Sequence, residues 1–223
     1  MIKALVFDFD GLILDTEVPA YQAWAEIYRE HGVELSLERW LDYIGREGGW
    51  FDAYAHLEEL ARRPIDRDAI KVRRAARRDE LVAANQLLAG VVDLFKEAKR
   101  RGMKVGIASS SRRDWVCGHL ERLAFMEGWD AIACFDDVGV AKPKPDLYLR
   151  AVELLGVAPH EAVALEDSPN GIAAAKAAGL WCVAVPGALT ENLDLGSADV
   201  RLPSLAGTAL DDLLERLGRT RAD

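Results

Sequence analysis

The chain has 223 residues, of which 50% are hydrophobic and 29% charged, a composition typical of a soluble globular protein. It carries 28 Lys and Arg against 37 Asp and Glu, for a net charge of -9. This balance argues against a general binder of nucleic acid or of acidic membranes, because both call for a basic surface. The length allows one large domain or two unequal ones.

Cysteine usage and hydropathy predict a cytoplasmic protein. The cysteines Cys117, Cys134 and Cys182 are far apart and form no C-x-x-C pair, so neither a disulfide framework nor a zinc site is expected. An apolar strand is predicted from Ile2 onward, which leaves no room for a secretory signal. No apolar run approaches the ~18 residues of a membrane span. We therefore expect no membrane partner and no nucleic-acid partner.

Short apolar runs that end in small or acidic residues predict five strands. Most of them lack polar alternation, which is typical of strands buried on both faces of a parallel sheet. The runs cover residues 2–7, 104–108, 131–135, 162–165 and 181–185. Helical patterns lie between them; for example, Ser168 is a natural N-cap with Pro169 at the first helical position. Strand–helix alternation predicts an α/β fold with a doubly wound, mostly parallel sheet.

Residues 17–88 interrupt this alternation. No strand is predicted there, and a long polar helix is expected from about residue 66 to 84. Aromatic and apolar side chains repeat at helical spacing early in the segment: Tyr21, Trp24, Ile27 and Tyr28. We therefore predict a small helical domain, residues 16–88, inserted after the first strand of a core made of residues 1–15 and 89–223.

Two carboxylates, Asp8 and Asp10, directly follow the first predicted strand. Ligands of doubly wound sheets bind at the carboxyl ends of the strands. Two acids there repel one another, and a cation between them relieves that cost. The alternative is an ordinary turn in which an Asp caps the next helix, and an isolated D-x-D-G motif does not decide between the two.

Hydroxyl and ammonium groups follow other predicted strands. Ser109 and Ser110 come after the strand 104–108, where a hydroxyl and free backbone amides suit a phosphate oxygen. The alternative is a serine-rich turn in which Ser111 caps the next helix. Lys142 is followed by Pro143 and Pro145, which stiffen the loop, so it is a candidate for a fixed positive charge, whereas Lys144 is expected in solvent.

Glu166 and Asp167 form a second acid pair, after the strand 162–165. Acids are favourable near any helix N-terminus, which is the alternative interpretation of either one alone. Together with the first pair they offer oxygen ligands for a hard divalent cation. Mg2+ is the usual choice where a phosphate completes the coordination.

These residues carry a family resemblance. The stretch 8–17 (DFDGLILDTE), Ser109, Lys142 and the Glu166–Asp167 pair resemble, in order, the four motifs of the haloacid dehalogenase superfamily. Within it the chain is similar to the branch of phosphatases and β-phosphoglucomutase-like proteins, which carry a helical cap after the first motif. The match spans nearly the whole chain.

The resemblance implies roles for these residues. Asp8 is expected to be the nucleophile that forms an aspartyl-phosphate, and Asp10 the general acid and base. Ser109, Ser110 and Lys142 are expected to hold the phosphoryl oxygens.

The resemblance also implies the metal. Mg2+ is expected on the Asp8 carboxylate, the Asp10 backbone carbonyl and Asp167, with Glu166 either a ligand or next to one. Asp10 separates the chain from the dehalogenases, which lack the second Asp because a halide leaves without a proton. Intact reactive positions also disfavour a non-catalytic binding protein.

The implied activity is Mg2+-dependent hydrolysis of a small phosphorylated metabolite, such as a sugar phosphate or phosphoglycolate. The alternative is a β-phosphoglucomutase-like isomerase that uses the same aspartyl-phosphate. Arg46 is a candidate contact to the leaving group. The basic segment 62–80 either steers an anionic substrate or is a solvated helix face. A monomer or a small homo-oligomer is expected.

Overall fold

A parallel sheet forms the centre of the molecule. The computed structural model describes residues 1–44 and 51–220. In these ranges six parallel strands lie in the order β3-β2-β1-β4-β5-β6. They are β1 (Ala4–Phe7), β2 (Lys104–Ala108), β3 (Ala131–Ala133), β4 (Ala162–Glu166), β5 (Trp181–Ala184) and β6 (Val200–Arg201). The five predicted strands are confirmed, each within about two residues at its ends, and β6 is an addition.

Helices cover both faces of this sheet, which confirms the doubly wound α/β fold. They are α1 (Glu17–Glu30), α2 (Leu37–Ile44), α3 (Ala53–Ala61), α4 (Arg67–Ala83), α5 (Val91–Arg100), α6 (Arg113–Arg122), α7 (Phe135–Val138), α8 (Asp146–Leu155), α9 (Pro169–Ala177) and α10 (Leu210–Thr220). Successive residues of β1 point to opposite faces, so Leu5 and Phe7 pack with α5, α6 and α10, while Ala4 and Val6 pack with α8 and α9.

The helices α1 to α4 surround a hydrophobic cluster of their own, apart from the two clusters on the sheet. Its buried members are Trp24, Ile27, Tyr28, Leu35, Trp40, Phe51, Ala53, Leu57 and Ile70. The predicted long helix is α4; it begins after Asp66, whose carboxylate accepts a hydrogen bond from the Ala69 N–H at 3.0 Å. We call residues 17–83 the helical segment.

The two connections to the helical segment run side by side. Leu14 and Leu87 form an antiparallel bridge, and the Leu88 N–H donates to the Ile13 carbonyl at 2.9 Å. The Asn85 side chain donates to the carbonyl of Asp15 at 2.8 Å. The chain therefore leaves the sheet and returns to it at one place.

Three strand ends position the polar residues singled out in the sequence. Asp8 follows β1, Ser109 follows β2, and Glu166 is the last residue of β4. Because these three strands are parallel neighbours in the middle of the sheet, their carboxyl ends lie together. None of the described helices is long and apolar enough to cross a membrane. The cysteines are free thiols, two of them buried.

Candidate active site

Four polar side chains are buried at the carboxyl end of the sheet. Ser109 and Glu166 are fully buried, Asp167 is 3% exposed and Asp8 is 6% exposed. Buried polar groups need partners, and buried charges need opposite charges or a metal. The contacts of these four side chains therefore define what the site can do.

Lys142 is the cation that enters this acidic pocket. Its ammonium group contacts Oδ1 of Asp8 and lies 2.5 Å from Oε1 of Glu166, and its side chain is only 6% exposed. The backbone N–H of Lys142 donates to the Ser110 hydroxyl at 3.1 Å, which fixes the loop that carries it. Lys144, expected in solvent, is exposed.

Tyr148, a residue not singled out by the sequence, completes the lysine's surroundings. Its hydroxyl donates to Oε1 of Glu166 at 2.6 Å, and the Lys142 ammonium lies 4.9 Å from its ring centroid. Burial, followed by the charge of Glu166, raises the pKa of Tyr148, so the phenol stays a donor. Glu166 thus accepts from two groups that hold it towards the site.

The pKa values at this site follow from burial and from the excess of acids. Burial raises the pKa of Asp8 well above its usual value, and the Lys142 charge offsets part of that rise. Burial and the charges of Asp8 and Glu166 raise the pKa of Asp167 as well. Burial alone lowers the pKa of Lys142, but the charges of Asp8 and Glu166 outweigh it and raise the pKa.

Asp8, Glu166 and Asp167 fit a divalent cation. Each can present a carboxylate oxygen within 4.8 Å of the others, and hard cations such as Mg2+ take oxygen ligands. One ammonium group leaves these acids with excess negative charge, which a metal offsets. Gly11 makes room for Asp167, since a Cβ at Gly11 would lie 2.2 Å from its Oδ2.

Glu166 differs from the other two acids because both of its oxygens already accept hydrogen bonds. Oε2 accepts from the Asp167 N–H at 3.2 Å and from the Ser168 hydroxyl at 3.3 Å, in addition to the two donors on Oε1. Gly171 in the first turn of α9 allows this packing, because a Cβ there would lie 1.9 Å from Oε2. Direct metal coordination by Glu166 would compete with all of these bonds.

Asp10 accepts hydrogen bonds on both carboxylate oxygens. Oδ1 accepts from the Thr16 hydroxyl and from the Trp115 indole N–H, each at 2.9 Å. Oδ2 accepts from the hydroxyls of Ser111 at 2.7 Å and Ser109 at 3.2 Å. Ser111 therefore does not cap α6, which begins after Arg112 without a side-chain cap. The Ser109 hydroxyl, expected on a phosphate, faces Asp10 and also accepts the Ser111 N–H at 3.0 Å.

A cleft of about 1180 Å³ opens between the helical segment and the sheet at Asp10. Aromatic and basic side chains of the helical segment line one wall, namely Trp24, Trp40, Phe51, Tyr54, Arg74 and Arg78. The other wall contains Asp10, Ser110, Ser111, Arg112 and Trp115. The buried Nε of Arg74 has no hydrogen-bond partner, and its guanidinium lies 5.2 Å from the Trp24 ring centroid. Arg46, the arginine expected to contact the leaving group, lies outside the described residues.

Half of the eight basic side chains in the segment 62–80 form ion pairs within the helical segment, including Arg78 with Asp79. Arg67 contacts Glu58 and Asp52, Arg73 contacts Glu30, and Arg77 contacts Glu26 and Glu80. Arg74 and Arg78 are the members of this segment that line the cleft. Direct contact of the segment with an anion in the cleft would therefore fall to these two.

A family model described as haloacid dehalogenase-like hydrolase matches residues 2–179. The chain belongs to this family. The match covers the strand ends that carry Asp8, Ser109 and Glu166, so the resemblance noted in the sequence is confirmed, and the protein is a hydrolase of the haloacid dehalogenase type.

Named relatives and solved structures agree with this family. YhcW of Bacillus subtilis (strain 168) is 42% identical over 97% of this chain and 98% of its own. Hexitol phosphatase B of Escherichia coli (strain K12) is 34% identical over 96% of this chain and 97% of its own. A crystal structure of CbbY from Rhodobacter sphaeroides in complex with xylulose-(1,5)bisphosphate has a TM-score of 0.70 and 32% identity, over 93% of this chain and 96% of that one.

Proposed function

We propose that this hydrolase is a Mg2+-dependent phosphatase that cleaves a small phosphorylated metabolite through an aspartyl-phosphate on Asp8. The observation that carries the proposal is the contact of the Asp8 carboxylate with the buried ammonium of Lys142, beside the acids of β4. A phosphate dianion approaching a carboxylate is repelled unless fixed positive charge lies next to both. Lys142 supplies that charge.

Asp8 acts as the nucleophile. One of its oxygens attacks phosphorus, the bond from phosphorus to the substrate's bridging oxygen breaks, and the acyl phosphate forms. Glu166 and Tyr148 keep Lys142 directed at Asp8, so its charge meets the phosphoryl oxygens without reorganisation. Ser110, whose hydroxyl is bonded to the Lys142 backbone, lines the cleft on the same side.

Asp10 acts as the general acid and base. It gives a proton to the leaving oxygen in the first step. In the second step it takes a proton from the water that attacks phosphorus, which releases inorganic phosphate and restores the Asp8 carboxylate. Its hydrogen bonds to four side chains hold the carboxyl group at the mouth of the cleft.

The acids of the pocket fit Mg2+, which when bound supplies charge that neutralises the transferring phosphoryl group. Asp8 and Asp167 would hold it with their carboxylates, and Asp10 with its backbone carbonyl. We propose that Glu166 serves Lys142 and supports the metal through Asp167, because its own oxygens are already engaged.

The helical segment, together with its connections to the sheet, acts as the cap domain, residues 16–88, over a core made of residues 1–15 and 89–223. Its aromatic wall and Arg74 contact the leaving group. These side chains favour, as substrate, a polar metabolite that carries apolar faces or a further negative charge. CbbY, in the structure named above, is bound to a sugar bisphosphate, which supports the same class of substrate here.

Phosphate release from a panel of phosphorylated metabolites, with and without Mg2+, tests the proposal. Sugar phosphates, phosphoglycolate and a sugar bisphosphate are included, together with β-glucose 1-phosphate primed by a bisphosphate. Metal-dependent phosphate release is expected, and acid quenching should trap a phosphoenzyme that the Asp8→Asn variant cannot form. Formation of glucose 6-phosphate instead of free phosphate would identify a mutase. Phosphate release by the Asp8→Asn variant would overturn the assignment of Asp8 as the nucleophile.

A further inference from the structure

The indole of Trp115 contacts both the helical segment and Asp10. Its N–H donates to Oδ1 of Asp10 at 2.9 Å. The guanidinium carbon of Arg78, on α4, lies 4.4 Å from the centre of its ring, a cation–π arrangement. Trp115 belongs to α6 of the core, so one side chain links an arginine of the helical segment to the acid at the mouth of the cleft.

One face of α6 is turned towards the end of α4. Trp115, His119 and Arg122 recur at intervals of four and three residues and so lie on that face. The Arg122 guanidinium donates to the carbonyls of Ala83 at 3.0 Å and Asn85 at 3.2 Å, at the carboxyl end of α4. The His119 ring packs edge-on against Trp115, with centroids 4.3 Å apart. These contacts fix the indole relative to both parts of the chain.

The Trp115 contact differs in kind from the other three on Asp10. The hydroxyls of Thr16, Ser109 and Ser111 rotate and can donate or accept, whereas an indole N–H only donates and has a fixed direction. It therefore sets where Oδ1 lies, while the hydroxyls adapt to the carboxyl group. A proton transfer to a leaving oxygen depends on that position, because heavy atoms must come within about 3 Å.

We propose that Trp115 is a positioning residue for Asp10, and that Arg78 holds the indole in place from the helical segment. The inference rests on the proposed phosphatase function and adds to it a physical link between the helical segment and Asp10. Trp115 touches neither the reacting phosphorus nor the nucleophile in this scheme. Its effect is confined to steps in which Asp10 moves a proton.

Leaving-group chemistry isolates that effect. We would compare p-nitrophenyl phosphate with p-nitrobenzyl phosphate, which differ by one methylene. The nitrophenolate leaves without a proton, whereas the benzyl alkoxide needs one. Trp115→Phe keeps a ring beneath Arg78 and removes the N–H. It is expected to lower kcat/KM, which reports only the steps up to departure of the leaving group, about tenfold or more on the benzyl ester and less than about threefold on the phenyl ester.

Trp129→Phe is the matched control. Its indole N–H also makes one hydrogen bond, to the Phe125 carbonyl at 2.9 Å, but it packs in the core against Phe95. It should leave the ratio of the two kcat/KM values unchanged. Arg78→Gln keeps the indole N–H and should shift the ratio in the same direction as Trp115→Phe, by a smaller factor. In the double variant the two effects should be less than additive, because they act on one contact.

The outcomes separate the two proposals. An unchanged ratio of kcat/KM between the two esters, in both Trp115→Phe and Arg78→Gln, would overturn the role of Trp115 while leaving the phosphatase intact. If the Trp115 variant fails to fold, Arg78→Gln alone decides. Failure of the wild-type protein to release phosphate from any ester would overturn the phosphatase function, and the positioning role with it.

Discussion

The ammonium group of Lys142 lies 2.5 Å from Oε1 of Glu166, and Tyr148 donates to that same oxygen. Because the same ammonium also contacts Asp8, the lysine joins the loop before α8 to the ends of two central strands, β1 and β4. This arrangement is costly in isolation, since each charge has lost its water. Removing the lysine or either acid leaves a buried charge without one of its partners.

Lys142→Met should therefore impair both activity and stability. Methionine has about the length of lysine but carries no charge. Activity should therefore fall more than about 100-fold, which is the size of the effect when one preorganised hydrogen-bond donor is lost. The free energy of unfolding should fall by about 3–5 kcal/mol at neutral pH, because buried carboxylates lose their partner. Urea unfolding and phosphate release measure the two effects.

The pH dependence and a neighbouring lysine check this explanation. Without Lys142 the pKa of Asp8 loses the interaction that lowers it, so the folded state holds its proton to higher pH. The stability loss should then grow as pH rises above about 4. Lys144→Met, two residues along the same loop and exposed, should change neither quantity. Equal losses of activity and stability in Lys142→Met and Lys144→Met would contradict the role of the contacts that Lys142 makes with Asp8 and Glu166.

The two acids Asp10 and Asp167 should respond differently to amide substitution. Asp10→Asn should slow turnover by about 10²–10⁴-fold but keep Mg2+ affinity, since its proposed ligand is a backbone carbonyl. Asp167→Asn should weaken Mg2+ binding by about tenfold or more, measured by titration of the wild-type and variant proteins with the metal. A chelator should stop wild-type turnover reversibly. Equal losses of Mg2+ affinity in the two variants would be inconsistent with this assignment.

Gly171→Ala should disturb the site through Glu166. The added methyl would lie 1.9 Å from Oε2, so the carboxylate must move and loosen its hold on Lys142. We expect a stability loss of about 1–3 kcal/mol and a fall in kcat. Gly118→Ala in α6 is the control, because its methyl meets nothing within 4 Å; it should stabilise the protein by about 1 kcal/mol. A Gly171→Ala protein as active as Gly118→Ala would refute the role of this glycine.

Glu17→Gln should change how stability varies with pH. Burial, followed by the charges of Asp10 and Asp15, raises the pKa of Glu17 from 4.5 to about 7. The folded protein keeps a proton that the unfolded chain loses, so this group lowers stability as pH rises from 4.5 to about 7. The variant should therefore gain on the order of 1 kcal/mol over wild type near pH 8 and nothing near pH 4.

Glu38→Gln provides the control for that experiment. Glu38 also lies in the first turn of a helix, α2, but it is exposed. Its substitution should shift thermal unfolding by the same small amount at every pH. Parallel pH curves for Glu17→Gln and wild type would show that the pKa of Glu17 has no such effect on stability.

Sequence patterns predicted the sheet and the strand-end residues well because both depend on local signals. An apolar run ending in Asp8 or Glu166 marks a buried strand and its carboxyl end, and parallel packing then brings those ends together. The short β6 (Val200–Arg201) was missed because two residues show no periodicity.

Residues that reach the site from helices could not be predicted in the same way. Tyr148 fits the apolar face of α8, and nothing in the local sequence of Trp115 predicts that its indole contacts Asp10. Their hydrogen-bond partners, Glu166 and Asp10, are distant in sequence. These contacts form only when the helices pack on the sheet. Arg74 likewise lines the cleft only through the placement of α4.

The pairing of Leu14 with Leu87 has a consequence for how such proteins diversify. The chain leaves the sheet and returns to it through two neighbouring stretches of backbone. The residues between these two leucines therefore form one continuous insertion. A different helical module with equally close ends could be spliced in while the sheet retains its own hydrophobic clusters. In the proposed function, the reacting acids and Lys142 all lie outside this insertion, so such an exchange would alter the cleft wall and leave the reacting groups in place.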